Sequence, residues 1–296
     1  MRAEGFVSVE GGRIWYHRVG PDTGIPLVLL HGGPGVCSPY FKPLLALAAE
    51  RPVILYDQLG CGKSDRPTDT TLFTVDRFVR ELQTLRDSLA LSEIHVLGQS
   101  WGAMLAEAYM ATKPTGVRSL TLSSPLVTTA QWEADADSLI RLPPDSLRDA
   151  IAAWDADHSK NGPMYRAALD AYYGAHLMRK PTTLSRVDDD SADAAFGKLV
   201  YRYMWGPSEF RSSGTLKHFD ATAWLRTITV PTLFLAGEFD EATPESTRRF
   251  SRLVPGAEFV VIPGSGHITQ NDNLAAMLAA VRAFLARAEA QPAHAS

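Results

Sequence analysis

The segment Gly98-Gln-Ser-Trp-Gly102 lies between a short apolar run, Ile94-His-Val-Leu97, and an apolar stretch from Ala103 to Met110. A chain that leaves a strand and enters a helix within five residues must turn so sharply that its central residue is strained. Both glycine positions must then be small to avoid collision. Such a turn needs a buried strand before it and a helix behind it, which restricts the chain to sheets built from strand–helix units.

The rest of the sequence keeps to that pattern. Phe6 to Val9 and Ile14 to Arg18 flank Gly11-Gly12 and read as a hairpin. Pro26 to Leu30 and Val53 to Tyr56 are continuous apolar runs of the kind found in buried parallel strands. Val75, Phe78, Val79, Leu82, Leu85 and Leu89 fall on one face of a predicted helix. Leu120 to Leu122, Thr232 to Leu235 and Glu258 to Ile262 read as further strands, with a last helix from about 273 to 288. Alternation of this kind implies an α/β fold, a mostly parallel sheet with helices on both faces.

From about Pro125 to Asp220 the short apolar runs give way to amphipathic stretches rich in Trp and Tyr, among them Trp154, Tyr165, Tyr172, Tyr173, Tyr201, Tyr203 and Trp205. This reads as an inserted helical cap over 125–220, with the core formed by 1–124 and 221–296. Some of its aromatics are expected in the cap's own core and others along the pocket it covers. Asp188-Asp-Asp190 reads as a solvated loop and Gln291 to Ser296 as a frayed tail.

The 296 residues suffice for one large domain with an insertion, and 45% hydrophobic against 21% charged is the balance of a globular protein with a real core. A net charge of -4 gives no basic surface favouring nucleic acid or acidic membranes. Cys37 and Cys61 show no Cys-x-x-Cys spacing, which argues against a disulfide framework or a cysteine zinc site. No leader-like N-terminus and no run of membrane-spanning length is present, so the expectation is a cytoplasmic protein.

The turn at 98–102 aims the Ser100 hydroxyl outward at a helix N-terminus, where developing negative charge is favoured. On this kind of turn, partners follow in the order Ser, acid, His. Asp240 follows the strand at 232–235, and His267 follows the strand at 258–262 in Gly264-Ser-Gly-His267. Both fall just past the carboxyl ends of parallel strands, where open α/β sheets carry their sites. Glu238 and Glu241 are rivals to Asp240 as the acid. His95 lies inside a strand, and His158, His176 and His218 in the insertion, which makes them poorer candidates than His267. His31-Gly-Gly-Pro-Gly35 ends the first core strand, and its glycines leave backbone N–H groups open to the cleft. The N–H groups of Gly33 and Trp101 are therefore the expected oxyanion donors. Gly62-Lys-Ser64 imitates the end of a phosphate-binding loop, but Asp57 stands where its leading glycine should be. That segment reads as a structural loop near the cleft.

Taken together, His31–Gly35, Tyr56–Asp65, Gly98–Ala103, Trp205–Phe210, Gly237–Pro244 and Gly264–His267 resemble the proline iminopeptidase (prolyl aminopeptidase) family, especially its tricorn-interacting aminopeptidase branch. The resemblance spans nearly the whole chain. It implies the α/β-hydrolase fold with a helical cap and a serine hydrolase with Ser100 as nucleophile, His267 as base and Asp240 as orienting acid. It also implies two carboxylates that hold the ammonium of a substrate's free N-terminus, here Glu209 and Glu241. A buried ammonium needs such pairing on physical grounds as well.

The expected reaction is release of an N-terminal residue, proline or another, through an acyl-enzyme, by a monomer needing no cofactor or metal. A small peptide or amino-acid amide is the expected substrate, with neither nucleic acid nor membrane as partner. Two readings stand beside it: an amidase or esterase acting on a small amino-acid-like molecule, and a non-catalytic binding protein on the same fold. The complete set Ser100, Asp240 and His267 argues against the latter.

Overall fold

A computed structural model describes residues 2–140, 145–158, 160, 162–181 and 195–290. The acidic run at 188–190 and the last six residues lie outside them.

The first two strands, β1 (Arg2–Val9) and β2 (Gly12–Val19), form the expected hairpin. β3 (Leu27–Leu30), β4 (Val53–Tyr56), β5 (Ile94–Gln99), β6 (Val117–Ser123), β7 (Thr232–Gly237) and β8 (Glu258–Ile262) complete a sheet of eight strands. Its order is β1-β2-β4-β3-β5-β6-β7-β8. β2 pairs antiparallel with β1 and β4, and every pair from β4 through β8 is parallel.

Each inner strand divides its apolar side chains between two cores, because successive residues point to opposite faces. Val28, Leu30, Val96, Leu120 and Leu122 pack under α1 (Val75–Ser88) and α2 (Trp101–Ala111). Leu27, Leu29, Leu97, Leu233 and Leu235 pack on the other face against Phe41, Leu44 and Leu47 of a 3₁₀ segment, Ser38–Ala49, and against the C-terminal helix. Phe78, Leu82 and Leu85 of α1 are buried as its spacing predicts. On the same helix Arg77 and Glu81 are also buried and pair at 2.7 Å. Their i,i+4 spacing lets each neutralise the other's charge out of water.

Between β6 and β7 the chain leaves the sheet for a helical insertion. α3 (Thr129–Ile140), α4 (Asp145–Ala156), α5 (Pro163–Tyr172) and α6 (Lys198–Met204) belong to it. Ile140, Ile151, Trp154, Tyr165, Tyr172 and Phe210 build a separate small core there. Trp154 stacks on Tyr165 at 4.7 Å, and Tyr172 meets Phe210 edge-on at 4.9 Å. After the insertion come α7 (Thr222–Leu225), α8 (Pro244–Ser251) and α9 (Leu274–Ala290). Among the described residues, no helix is long and apolar enough to cross a membrane.

The insertion is stitched to the sheet's carboxyl edge. His267 N–H donates to the His176 carbonyl at 2.8 Å, and Ile268 N–H to that of Leu177 at 2.9 Å. Asp272 accepts from Arg179 N–H, Lys180 N–H and Gly266 N–H at 3.0, 2.9 and 2.8 Å. One buried carboxylate thereby holds a cap strap and the loop before His267 together.

Candidate active site

The turn after β5 has the strained geometry its glycines imply. Ser100 sits at φ 56, ψ -119, outside the ordinary regions for a non-glycine residue. A Cβ on Gly98 would lie 2.2 Å from the Gly102 carbonyl oxygen, and one on Gly102 would lie 1.9 Å from that of Leu30. Neither position tolerates a side chain. The Trp101 side chain turns inward, and its Nε1 donates to Gln58 Oε1 at 2.7 Å.

His267 is held from behind. Its Nδ1 lies 2.8 Å from Asp240 Oδ1, which leaves Nε2 facing the cavity side. Asp240 is buried and accepts three further hydrogen bonds, from Gly237 N–H, Ala242 N–H and the Ser124 hydroxyl at 2.9, 2.9 and 2.5 Å. Of its rivals, Glu238 accepts from Gly264 N–H at the exposed rim. Glu241 instead faces the cavity, its Oε1 3.8 Å from His267 Nε2. Trp132, from α3, stands edge-on to the imidazole at 5.5 Å.

The glycine loop after β3 closes the other side. Gln58 N–H donates to His31 Nε2 at 3.0 Å, so His31 carries its proton on Nδ1, 2.9 Å from the Gly32 carbonyl. The Gln58 side chain also donates to the His31 carbonyl. Gln58 thus ties the glycine loop to Trp101. Gly32 N–H is taken by the Tyr40 hydroxyl, which in turn donates to Gln99 Oε1. The loop that imitates a phosphate site is packed around Asp57, whose carboxylate accepts from Ser38 N–H, Ser38 Oγ and Lys63 N–H.

Gly33, Ser100, Glu209, Glu241 and His267 all line one cavity of about 550 Å³. Trp101 and Asp240 support it from outside. Its remaining walls are mostly apolar and come largely from the insertion, including Leu126, Trp132, Tyr165, Tyr173, Tyr201 and Trp205. No Lys or Arg is among the described residues lining it. Glu209 Oε2 accepts hydrogen bonds from Tyr173 and Tyr201 at 3.2 and 3.1 Å. Burial raises the Glu209 pKa, while the Tyr201 hydroxyl, His267 and the Tyr173 hydroxyl work against that rise. Burial likewise pushes Glu241 up to about 8; His267 pulls against it, and Glu209 and Asp240 add to it. Burial disfavours a charged His267, but Asp240, Glu241 and Glu209 outweigh it and hold the ring up to about 9.

Sequence reasoning did not reach Gln58, Tyr40, Ser124 or Asp272 as parts of the site. Each acts through hydrogen bonds to residues distant in sequence, and no local pattern marks them. Tyr173 and Tyr201 were in the aromatic stretch, but nothing in their spacing gave them Glu209 as partner. Among the described residues, no group of three or more His, Cys, Asp or Glu side chains is arranged to hold a metal ion.

Fold and site together have the organisation of an α/β hydrolase, and the family described as alpha/beta hydrolase fold matches residues 25–274. The chain is 42% identical to a proline iminopeptidase of Heyndrickxia coagulans, over 96% of this chain and 99% of that one. A crystal structure of proline iminopeptidase from Mycobacterium smegmatis superposes with a TM-score of 0.89 at 32% identity, covering 97% of this chain and 99% of the other. The crystal structure of VinJ gives the same TM-score at 30% identity, covering 96% and 98%. The chain belongs to the proline iminopeptidase family of α/β hydrolases.

Proposed function

We propose that this protein is a serine aminopeptidase that releases an N-terminal residue, proline foremost, from short peptides. Ser100 attacks the first peptide carbonyl while His267 Nε2 takes its proton and then delivers it to the leaving amine. Asp240 holds the imidazole with its proton on Nδ1. The N–H groups of Gly33 and Trp101 stabilise the oxyanion, and water activated by His267 releases the acyl group. The helical insertion, residues 125–220, acts as the cap that shapes the cavity.

The observation that carries this reading is the pair Glu209, half-buried, and Glu241, buried, which line the same cavity as Ser100 and His267. Two enclosed carboxyls with no Lys or Arg beside them form a site for a cation, and a free N-terminus is the cation that sits next to a scissile carbonyl. Membership in a family of proline iminopeptidases supports proline as the released residue. Bound there, the ammonium fixes the distance from chain end to scissile bond, which limits cleavage to the first residue.

A hydrolysis panel tests it: L-proline anilide, its N-acetyl form and a simple acyl ester. The free amine should be cut well and the acetylated one very poorly. In Glu209→Gln the free-amine substrate should lose roughly 30-fold to several thousand-fold in kcat/KM, since breaking a desolvated charge pair costs about 2–5 kcal/mol. The ester should be cut about as well as by the unaltered protein. Equal losses on both substrates would reduce Glu209 to a structural part. No loss on either would remove the aminopeptidase reading and favour a small-molecule amidase or esterase.

A further inference from the structure

The side chain just before Ser100 has no part in the reaction described above, yet it is buried with both ends of its amide engaged. Gln99 closes β5, and its amide joins the two loops that flank Ser100. Toward the glycine loop, Gly32 N–H donates to the Tyr40 hydroxyl at 2.7 Å, and that hydroxyl donates to Gln99 Oε1 at 2.8 Å. Toward the histidine loop, Gln99 Nε2 donates to the His267 carbonyl at 3.4 Å. The directions agree with one another. The phenol accepts from Gly32 and gives its own proton to an amide oxygen, which leaves the amide NH2 for a carbonyl. Burial pushes the Tyr40 phenol well above its ordinary range, so its proton stays in place. Gly32 itself, unlike Gly33 and Gly35 at φ 113 and 94, has no left-handed backbone to demand glycine. A Cβ there would lie 2.7 Å from Gln99 Oε1 and 3.2 Å from Ser100 Cβ, so the position is glycine to leave room for the Gln99 amide.

The peptide unit that carries the Gly33 N–H is the one between Gly32 and Gly33. Its carbonyl accepts from His31 Nδ1 at 2.9 Å and from Val36 N–H at 3.3 Å. In a trans peptide the N–H points opposite to the C=O, so these two donors aim the Gly33 N–H the other way. It donates to no described residue. Tyr40 holds the N–H of the preceding unit, and the aim of the Gly33 N–H is thereby fixed from both ends. Resting on the serine-hydrolase reading, with Gly33 as oxyanion donor, we propose that Tyr40 and Gln99 are positioning residues: a hydrogen-bonded chain from Gly32 through Tyr40 and Gln99 to His267 that sets the oxyanion loop and the histidine loop against Ser100.

Gln99 is covalently joined to Ser100, so the chain refers both loops to the nucleophile itself. Its effect falls on the transition state. The substrate's carbonyl oxygen gains charge only as the tetrahedral intermediate forms, and donors held in place beforehand need no reorganisation at that moment. Binding of the amine is the business of Glu209 and Glu241, on other elements, and does not depend on the chain. Tyr40 and Gln99 therefore govern turnover of any acyl substrate, with or without an amine.

Steady-state kinetics of the full-length protein tests this. Tyr40→Phe removes one oxygen and keeps the ring. Gln99→Met keeps the length of the side chain without its hydrogen bonds. Each should lower kcat on the order of 10- to 100-fold, below the roughly 100- to 1,000-fold expected for deleting an oxyanion donor outright, with KM changed by less than about threefold. L-Proline anilide and a simple ester should lose alike, since acylation and deacylation both pass through an oxyanion. Tyr40→Phe/Gln99→Met should lose little more than the worse single variant, because either change cuts the same chain. A boronic acid analogue of proline gives a second readout. Ser100 Oγ bonds to boron, its proton passes to His267, and boron becomes a tetrahedral anion. Its inhibition constant should weaken in step with kcat. Unchanged kcat, a rise in KM alone, a loss confined to the free-amine substrate, or single losses that multiply in the double variant would each overturn the inference. The aminopeptidase reading fails on a different result, the unaltered protein cutting N-acetyl-L-proline anilide as fast as L-proline anilide.

Discussion

The two halves of the cavity are built on different terms. On the sheet side, Ser100, Asp240 and His267 each stand within a few residues of a strand's end. Their positions follow from strand order, from a strained turn and from short loops. On the cap side, Glu209 sits in an irregular stretch after α6. It is placed by Tyr173 and Tyr201, 36 and 8 residues away in sequence. Local chain geometry thus fixes the groups proposed to react, while tertiary packing of aromatics fixes the carboxylate proposed to read the substrate. Within one fold, reaction chemistry can stay constant while the helical insertion varies.

The sharpest way to break that division is at the proposed nucleophile. Ser100→Ala removes one oxygen from a turn whose backbone is set by its neighbours, so folding should be unaffected. Turnover of amine and ester substrates alike should fall by a factor on the order of 10⁶. Measured kcat on both substrates decides it, and a large residual rate on the ester would place the nucleophile elsewhere.

A stability experiment addresses the cap side. Glu241 ionises in the folded protein only at about 8, burial being the main cause, against an ordinary value of 4.5. Below 4.5 it is protonated in both states and costs nothing. As pH rises from there, the unfolded chain gains by ionising and the folded chain does not, so this group's contribution to stability declines up to about 8. Glu241→Gln abolishes the decline. The variant should match the parent in Tm near pH 4.5 and exceed it increasingly toward pH 8, by an amount worth a few kcal/mol at most. A difference that does not vary with pH would mean that the carboxyl is ionised in the empty cavity.

The seam between the halves runs through Gly266. A Cβ there would lie 2.5 Å from the His176 carbonyl oxygen, a backbone atom of the cap strap that cannot swing aside. Gly266→Ala should therefore shift the His267 loop against Ser100. Misplacement by about 1 Å can cost on the order of 100-fold in rate. Both substrate types should suffer equally, since the base serves both. A loss confined to free-amine substrates would assign the strap to the cap half alone.

This seam also marks where the sequence stopped being legible. The sheet, the turn at 98–102 and the order Ser, Asp, His follow from patterns only a few residues long. Such patterns hold because strand ends and tight turns admit few residue types. The glycines at 264 and 266 read as what lets the histidine loop turn back toward the serine, but the close approach of Gly266 to a strap some 90 residues earlier is not legible there. Gln58 falls in the segment that reads as a structural loop near the cleft, and it joins Trp101 to His31. Nothing in the apolar spacing of the helix at 75–88 marks Arg77 and Glu81, which are buried as a pair. Glu107 on α2 is enclosed as well, and burial pushes its carboxyl well above the usual range. Buried polar groups are chosen by partners distant in sequence, and one chain read alone carries no record of who the partners are.

The two tyrosines on Glu209 offer the finest test of how the cap side is assembled. Both hydroxyls donate to the same oxygen, Oε2, at 3.2 and 3.1 Å. Removing one leaves the other in place, and the carboxylate keeps a donor and most of its orientation. Tyr173→Phe and Tyr201→Phe should each lower kcat/KM for L-proline anilide by about tenfold or less, in line with roughly 1–1.5 kcal/mol for one hydrogen bond whose loss is partly made good. The double variant leaves the Oε2 of a half-buried carboxylate with neither donor, so its loss should exceed the sum of the single losses. The double-mutant cycle on the free-amine substrate should return a coupling energy of at least about 0.5 kcal/mol. On a simple ester, which does not use Glu209, the same cycle should be flat. Additive losses on the amine substrate would mean that the two hydroxyls act separately. Equal coupling on the ester would mean that they shape the cavity rather than the carboxylate.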